Sequence, residues 1–327
     1  MLDSLHIKNF RCFEDLTIEP LGRINLIVGK NSTGKSTVLE ALSIYAARGR
    51  TYAFDKVLSH RNEFFHNREE RFKYLFFHNQ LPNTIENSLI IEDAKNEDGV
   101  CIIYDKDNGK FINGFRDKNG ITVHSDWKLT VVEYSYQFVT TDLLSEDYLA
   151  YLWDEVILSS EDEEIKKSLQ IIIPDLANLV FIKSQNEDST ERFAIIKIKN
   201  TARGIPLKNF GEGASRLLQI FLHALQAKNG FLLIDEFENG LHYSIQEEVW
   251  EKLFKLAKEL DIQVFATTHS QDAIKAFSKV ALADKEVDGK LIALGRSVGK
   301  SDFGKIFATI YDEESLELIS DTGIEVR

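Results

Sequence analysis

The chain has two cysteines, Cys12 and Cys101, among 327 residues, too few for a disulfide framework or a zinc site. Its four prolines leave no Pro-rich linker. No apolar run reaches the roughly 18 residues that a membrane span needs. The opening MLDSLHIKNFRCF mixes charge into its apolar stretch and reads as strand rather than secretory leader. A reduced, cytoplasmic protein without membrane contact is the expectation. Basic residues are outnumbered, 39 against 52 acidic, for a net charge of −13. That argues against a chain coated with non-specific nucleic-acid contacts, while leaving room for a local basic groove. Internal repeats, low-complexity tracts and coiled-coil heptads are also missing.

What remains is an ordinary globular composition, 43% hydrophobic and 28% charged. Three short strands are expected first, in LDSLHIKNF, EDLTIEP and GRINLIVG, the last fully apolar. A helix follows from about 35 to 47, with Val38, Leu39, Leu42 and Tyr45 on one face. Residues 54–79 read as helical, with poor phase. From Leu89 to Leu129 the pattern alternates and is broken by Asx-Gly steps suited to hairpin turns, which predicts an antiparallel meander. Helices are expected at 142–158 and 161–171, and strands at 178–184 and 191–199. The stretch Asp142–Glu164 holds nine acids and no Lys or Arg, the composition of a solvated helical face. Beyond it, helix and strand alternate: helix 213–228, FLLID, helix 243–260, QVFATT, helix 271–279. Apolar strands between helices imply a parallel α/β core.

Residues 29–36, Gly-Lys-Asn-Ser-Thr-Gly-Lys-Ser, fit G-x-x-x-x-G-K-[ST] between an apolar strand and a helix. Glycine lets backbone N–H groups curl around phosphates, and the helix presents its positive end to them. The candidate nucleotide-binding set is Gly29, Lys30, Asn31, Ser32, Thr33, Gly34, Lys35, Ser36 and Thr37. Lys35 would reach the β and γ phosphates of ATP, and the Ser36 hydroxyl would ligate Mg2+. FLLIDE places Asp235 and Glu236 at the end of an apolar strand, where α/β sheets bind ligands. Asp235 would hold the metal and Glu236 would act as general base on water. His269, ending QVFATTH, would sense the γ phosphate. Gly211, Glu212, Gly213 and Ser215 open another helix and make a second anion-ready end. One nucleotide rarely needs two such ends, so this one suits a nucleotide bound by another copy.

Together these motifs resemble the ABC-type ATPase heads of the SMC/RecF branch, and within it the OLD-like (overcoming lysogenization defect) ATPases of bacteria. IKNFRCFEDLTI is similar to that group's first strand pair, KNSTGKST to its Walker A, IDEFENGLH to its Walker B and D-loop, and ATTHS to its switch-histidine segment. GEGASR stands where the ABC signature belongs. The likeness covers roughly residues 1–50 and 205–280. It implies an α/β, ABC-ATPase-like P-loop NTPase core with an N-terminal antiparallel β-subdomain and a helical insertion. The expected organisation is a single domain over 1–327. Its core is split, about 1–50 and 178–327, around a β-meander (about 85–135) and a helical lobe (about 140–175).

The resemblance further implies an ATP-sandwich homodimer, with Walker A of one copy facing Gly211, Gly213 and Ser215 of the other. Arg11 matches a phosphate-touching position of the family. Gln137 is the candidate for its metal-contacting glutamine, and Asn239 and His242 lie in the D-loop equivalent. The stretch after His269 is shorter than a complete Toprim nuclease needs, and the acids Asp284, Glu286 and Asp288 read as solvated. The expectation is an ATP-hydrolysing switch acting on a separately encoded effector, a nuclease of the anti-phage type. A RecF-like DNA-binding repair ATPase is the alternative, disfavoured by the net charge.

Overall fold

The computed structural model describes residues 1–61, 63, 68–81, 87–96, 98–105, 110–117, 120–123, 133–159, 161–184, 191–311 and 313–322. In chain order the first elements are β1 (Leu5–Phe10), β2 (Phe13–Ile18), β3 (Ile24–Gly29), α1 (Lys35–Ala46), α2 (Thr51–His60) and α3 (Arg68–Lys73). Next come β4 (Leu89–Asp93), β5 (Asp98–Asp105), β6 (Lys110–Asp117), β7 (Gly120–Val123) and β8 (Tyr136–Val139). They are followed by α4 (Glu146–Ser159), α5 (Asp162–Leu169), β9 (Leu176–Lys183), β10 (Arg192–Ile198) and β11 (Ile205–Pro206). The last third holds α6 (Glu212–Gln226), β12 (Phe231–Ile234), α7 (Gln246–Glu259), β13 (Gln263–Thr267) and α8 (Gln271–Ala283). It closes with β14 (Gly289–Arg296), β15 (Ile306–Tyr311) and α9 (Glu313–Thr322).

The sheet that carries the site runs β15-β14-β3-β13-β12-β8 and is parallel except for β15. Its central strands are apolar throughout because both faces are covered. The two-residue strand period divides their side chains between two cores. Ile24, Leu26, Val28, Leu232, Ile234 and Val264 face the core that holds α6, α7 and α8 residues. Ile27, Phe231, Leu233 and Phe265 face the core shared with α1 and the N-terminal sheet. That second sheet is antiparallel, in the order β2-β1-β4-β5-β6-β7, so the 89–123 strands extend the first strand pair. The Asx-Gly turns of the meander lie partly outside the described residues. A third, three-stranded sheet has the order β11-β10-β9.

The helical stretch expected over 54–79 contains α2, which ends at His60, and the short α3. Residues 74–79 turn instead, because tertiary contacts outweigh local propensity. Phe76 forms an antiparallel bridge with Phe10, Arg11 N donates to the Leu75 carbonyl at 2.8 Å, and Phe72, Leu75 and Phe76 are buried. Strands β14 and β15 escape a reading by periodicity, since β14 is recognisable as a core strand only once it lies beside β3. Among the described residues no helix is long and apolar enough to cross a membrane.

One buried group in α6 makes stability depend on pH. His223 is 4% exposed and its Nδ1 donates to the Gln219 carbonyl at 3.0 Å. Burial pushes its pKa down to about 4. The unfolded chain takes up the proton near pH 6.5 and the folded one only near 4, so stability falls as pH drops through that window. The shift corresponds to roughly 3 kcal/mol by pH 4. Urea titrations between pH 7 and 4 should show this slope, and His223→Gln should flatten it; an equal slope in both proteins would exclude His223 as its source.

Candidate functional site

Strands β3, β13 and β12 end together, with Ile27 opposite Thr267 and Ala266 opposite Ile234. The loops that leave them therefore meet at one edge. After β3 the backbone takes positive φ at Gly29 (143°), Ser32 (62°) and Gly34 (92°). A Cβ on Gly34 would lie 2.5 Å from the Phe13 ring, so that glycine is required by space as well as by conformation. Gly34 caps α1 without any side-chain acceptor for its first amides, which leaves them to an anion. Lys35 is buried, and its Nζ donates to the carbonyls of Gly29 (2.8 Å) and Lys30 (3.1 Å). Thr33 Oγ1 donates to the same Lys30 carbonyl.

The first acidic residue after β12 joins this loop directly. Ser36 Oγ donates to Asp235 Oδ1 at 2.9 Å, and Thr267 Oγ1 donates to the same oxygen at 2.6 Å. Glu236 sits at φ 48° and its N–H donates to Thr267 Oγ1 at 2.9 Å, so one threonine ties down both acids. Mg2+ takes six oxygens, most often water, substrate phosphates and one or two carboxylates. The Ser36–Asp235 oxygen pair suits that donor set. Among the described residues no group of three or more His, Cys, Asp or Glu could hold a metal, so water and substrate phosphates would supply the rest of the shell.

A cavity of about 560 Å³ opens at the loop, lined by Asn31, Ser32, Gly34, Lys35, Ser36 and Thr37. His269 lines it too, at the far end of β13. Glu238 holds that histidine's turn: Thr268 Oγ1 donates to Glu238 Oε2 at 2.6 Å, and His269 N to Oε1 at 2.8 Å. Arg11 reaches the cavity wall, but its guanidinium is bound to Glu40 (2.7 Å) and to both oxygens of Glu63 (3.0 and 3.2 Å). Arg61 pairs with the other oxygen of Glu40 and donates to Thr37 Oγ1. Burial still holds the Glu40 carboxyl above its ordinary pKa against these two cations. On the far side of Ser36 and Asp235 lies a second cavity of about 730 Å³, bordered by Glu40, His60, Arg61, Thr140 and Asp142.

Two expectations separate from this cluster. Gln137 lies beside Leu232 in the β8–β12 ladder, and the residue following Val139 at the strand end, level with Asp235, is Thr140. Three residues of parallel strand are about 10 Å, so the ladder does not bring Gln137 to the Ser36–Asp235 pair. The signature residues Gly211, Glu212, Gly213 and Ser215 line neither cavity. They start α6, with Gly211 at φ 86° and Gly213 packed so tightly on the Gly240 carbonyl that a Cβ would stand 2.6 Å away. In the adjoining turn Asn239 Nδ2 donates to the Thr141 carbonyl at 2.8 Å, and His242 caps the 243–245 turn.

Sequence reading passed over the residue that joins these parts. Arg216, one position after Ser215, is 1% exposed. Its guanidinium donates to the carbonyls of Thr140, Asp235 (2.8 Å) and Glu236 (3.2 Å). Burial pushes its pKa down to about 10, which leaves it charged at neutral pH. An arginine inside a helix stripe of Leu217, Leu218 and Phe221 was the available signal, since arginine is seldom fully buried without partners. Glu238 and Thr267 carry no such mark, because acids and threonines flank many strands.

Comparison with known proteins agrees with this geometry. Residues 1–151 match the family model "AAA ATPase domain", and residues 136–274 match "AAA domain, putative AbiEii toxin, Type IV TA system". The chain is 24% identical to the ATP/GTP phosphatase of Helicobacter pylori, across 86% of this chain and 88% of that protein. Shorter stretches match RecF of Chlorobium limicola (31% identical, 33% of this chain and 25% of that protein) and the OLD nuclease of Thermus scotoductus (50% identical, 14% and 8%). The fold is that of an SMC head solved in complex with the C-terminal winged-helix domain of ScpA, with a TM-score of 0.55 at 14% identity, covering 97% of this chain and 99% of that one.

Proposed function

Because the chain is an AAA-type ATPase of the SMC/RecF branch, close to the OLD-like proteins, we propose that it is a switch that closes with a second copy of itself around ATP. One observation carries this reading. The chain holds a full phosphate-binding loop with its acids, while a second anion-ready helix end, at Gly211–Ser215, lines neither cavity at that loop. A second copy brings the two together.

In this mechanism Lys35 leaves the Gly29 and Lys30 carbonyls for the β and γ phosphates, and the amides of residues 31–37 close around them. Ser36 and Asp235 would hold Mg2+, which when bound neutralises phosphate charge. Glu236 takes the proton of the attacking water, and His269 orients that water against the γ phosphate. The partner's helix end, through Gly211, Glu212, Gly213 and Ser215, completes the charge stabilisation of the transition state. Arg11 holds the cavity wall through Glu40 and Glu63. The output is control of a separately encoded effector, a nuclease of the anti-phage type; the stretch shared with an OLD nuclease supports that choice.

Mass measured by light scattering tests the switch. The Glu236→Gln protein should shift from monomer to dimer when ATP and Mg2+ are added. An assembly whose mass ATP leaves unchanged would sink the sandwich. The likeness to RecF makes DNA the second arm: duplex DNA eluting with the ATP-bound dimer would move the output from an effector protein to DNA.

A further inference from the structure

The phosphate loop accounts for only part of the lining of the 560 Å³ cavity. Tyr74, Phe76 and Asn79 line it too and belong to no phosphate-binding motif. We propose that residues 74–79 are the nucleobase subsite, with the Tyr74 ring as the stacking face and the Asn79 amide as the group that reads the base edge. This rests on the reading of the P-loop as a nucleotide site. It adds where the base goes and what selects it.

The segment is built to hold a flat ligand. Its middle is anchored: Phe76 is 1% exposed, bridges to Phe10 and stacks on Phe111 with ring centroids 5.9 Å apart. Leu75 is buried and its carbonyl accepts from Arg11 N. On either side of this anchored pair, Tyr74 is 38% exposed and Asn79 is exposed. Of Tyr74 and Phe76, both of which line the cavity, the anchor buries Phe76 and leaves Tyr74 exposed, with the Asn79 amide beside the same cavity. Asn79 is also held in the left-handed region, φ 56°, with its N–H donating to the Phe76 carbonyl at 2.9 Å. That conformation is uncommon outside glycine and is best tolerated by asparagine among the larger residues. The cavity volume falls within the 300–1,000 Å³ typical of small-molecule sites.

The chemistry sets the selectivity. An aromatic face supports any base, and stacking of this kind is worth about 1–3 kcal/mol per base, or roughly 5- to 150-fold in affinity. An asparagine amide offers one donor and one acceptor, which matches the adjoining amino donor and ring-nitrogen acceptor of adenine. A carboxylate at the same position only accepts, so it would repel adenine's ring nitrogen and favour the two N–H groups on guanine's edge.

The test is calorimetric binding of ATP, GTP and inorganic tripolyphosphate, each with Mg2+, to the full chain. Tyr74→Ala should lose tenfold or more in ATP affinity and none for tripolyphosphate, which has no base and reports that the variant is folded. Tyr74→Phe should keep wild-type ATP affinity. Asn79→Asp should raise the GTP-to-ATP affinity ratio by tenfold or more. The subsite is overturned if Tyr74→Ala and Asn79→Asp bind ATP and GTP as the wild type does while Lys35→Ala loses all three ligands. It is overturned too if the wild type binds tripolyphosphate as tightly as ATP. A wild type that binds none of the three would instead sink the nucleotide-site reading, and the subsite with it.

Discussion

Glu236→Gln is expected to slow ATP hydrolysis by about 10²- to 10⁴-fold while leaving ATP bound. Glutamine has the shape of glutamate but cannot take a proton from water. The substitution leaves in place the contacts that hold this position, namely the N–H bond to Thr267 Oγ1 and the carbonyl bond from Arg216. Its φ of 48° is unchanged by an isosteric side chain, so the fold should be unaffected. Phosphate release measured beside ATP binding separates the two steps. Hydrolysis at the wild-type rate would remove Glu236 as general base and turn attention to His269, which lines the same cavity as the phosphate loop.

Arg216→Ala should be the most destabilising single change near the site. Three main-chain carbonyls, of Thr140, Asp235 and Glu236, accept from this one buried guanidinium. A buried acceptor left without its donor costs about 1–3 kcal/mol, so the loss should reach about 3–5 kcal/mol. Arg216→Lys keeps the charge but not the planar fork, and should recover part of the stability. Because two of the bonded carbonyls belong to Asp235 and Glu236, the acids proposed to hold the metal and activate water, the lysine variant should lose turnover while its ATP affinity changes little. Urea midpoints and steady-state rates check both statements. An alanine variant within 1 kcal/mol of wild type would mean that the carbonyls find other donors. Arg216 directly follows Ser215, so in the proposed dimer a partner's phosphates at the start of α6 would act within one turn of the helix on Asp235 and Glu236.

How far the molecule could be read in advance differs from one part to another. The P-loop was legible because its chemistry is local: glycine at fixed spacing, a lysine and a hydroxyl at a helix start. The parallel strands were legible because burial on both faces leaves a run of apolar residues, as in INLIVG and FLLI. The segment 54–79 was legible as helical in α2 and α3 but not in its break at 74–76, where the bridge between Phe10 and Phe76 overrides helical composition. Gln137 shows a different limit. The resemblance singled out a glutamine in β8, but the ladder register sets it opposite Leu232, three residues or about 10 Å before the position level with Asp235.

The amino-acid sequence alone determined the α/β class and the candidate phosphate loop, since both follow from periodicity and from residues adjacent in the chain. Only the tertiary structure decided the contacts between distant residues. Ser36 meets Asp235 across 199 positions, and Thr267 reaches the same carboxylate from a third strand. Arg11, on the wall of the phosphate-loop cavity, pairs with Glu40 and Glu63, and Arg216 of α6 holds the loops after β8 and β12 at once. Such pairings depend on the alignment of three parallel strand ends, a long-range property that periodicity and local motifs do not specify.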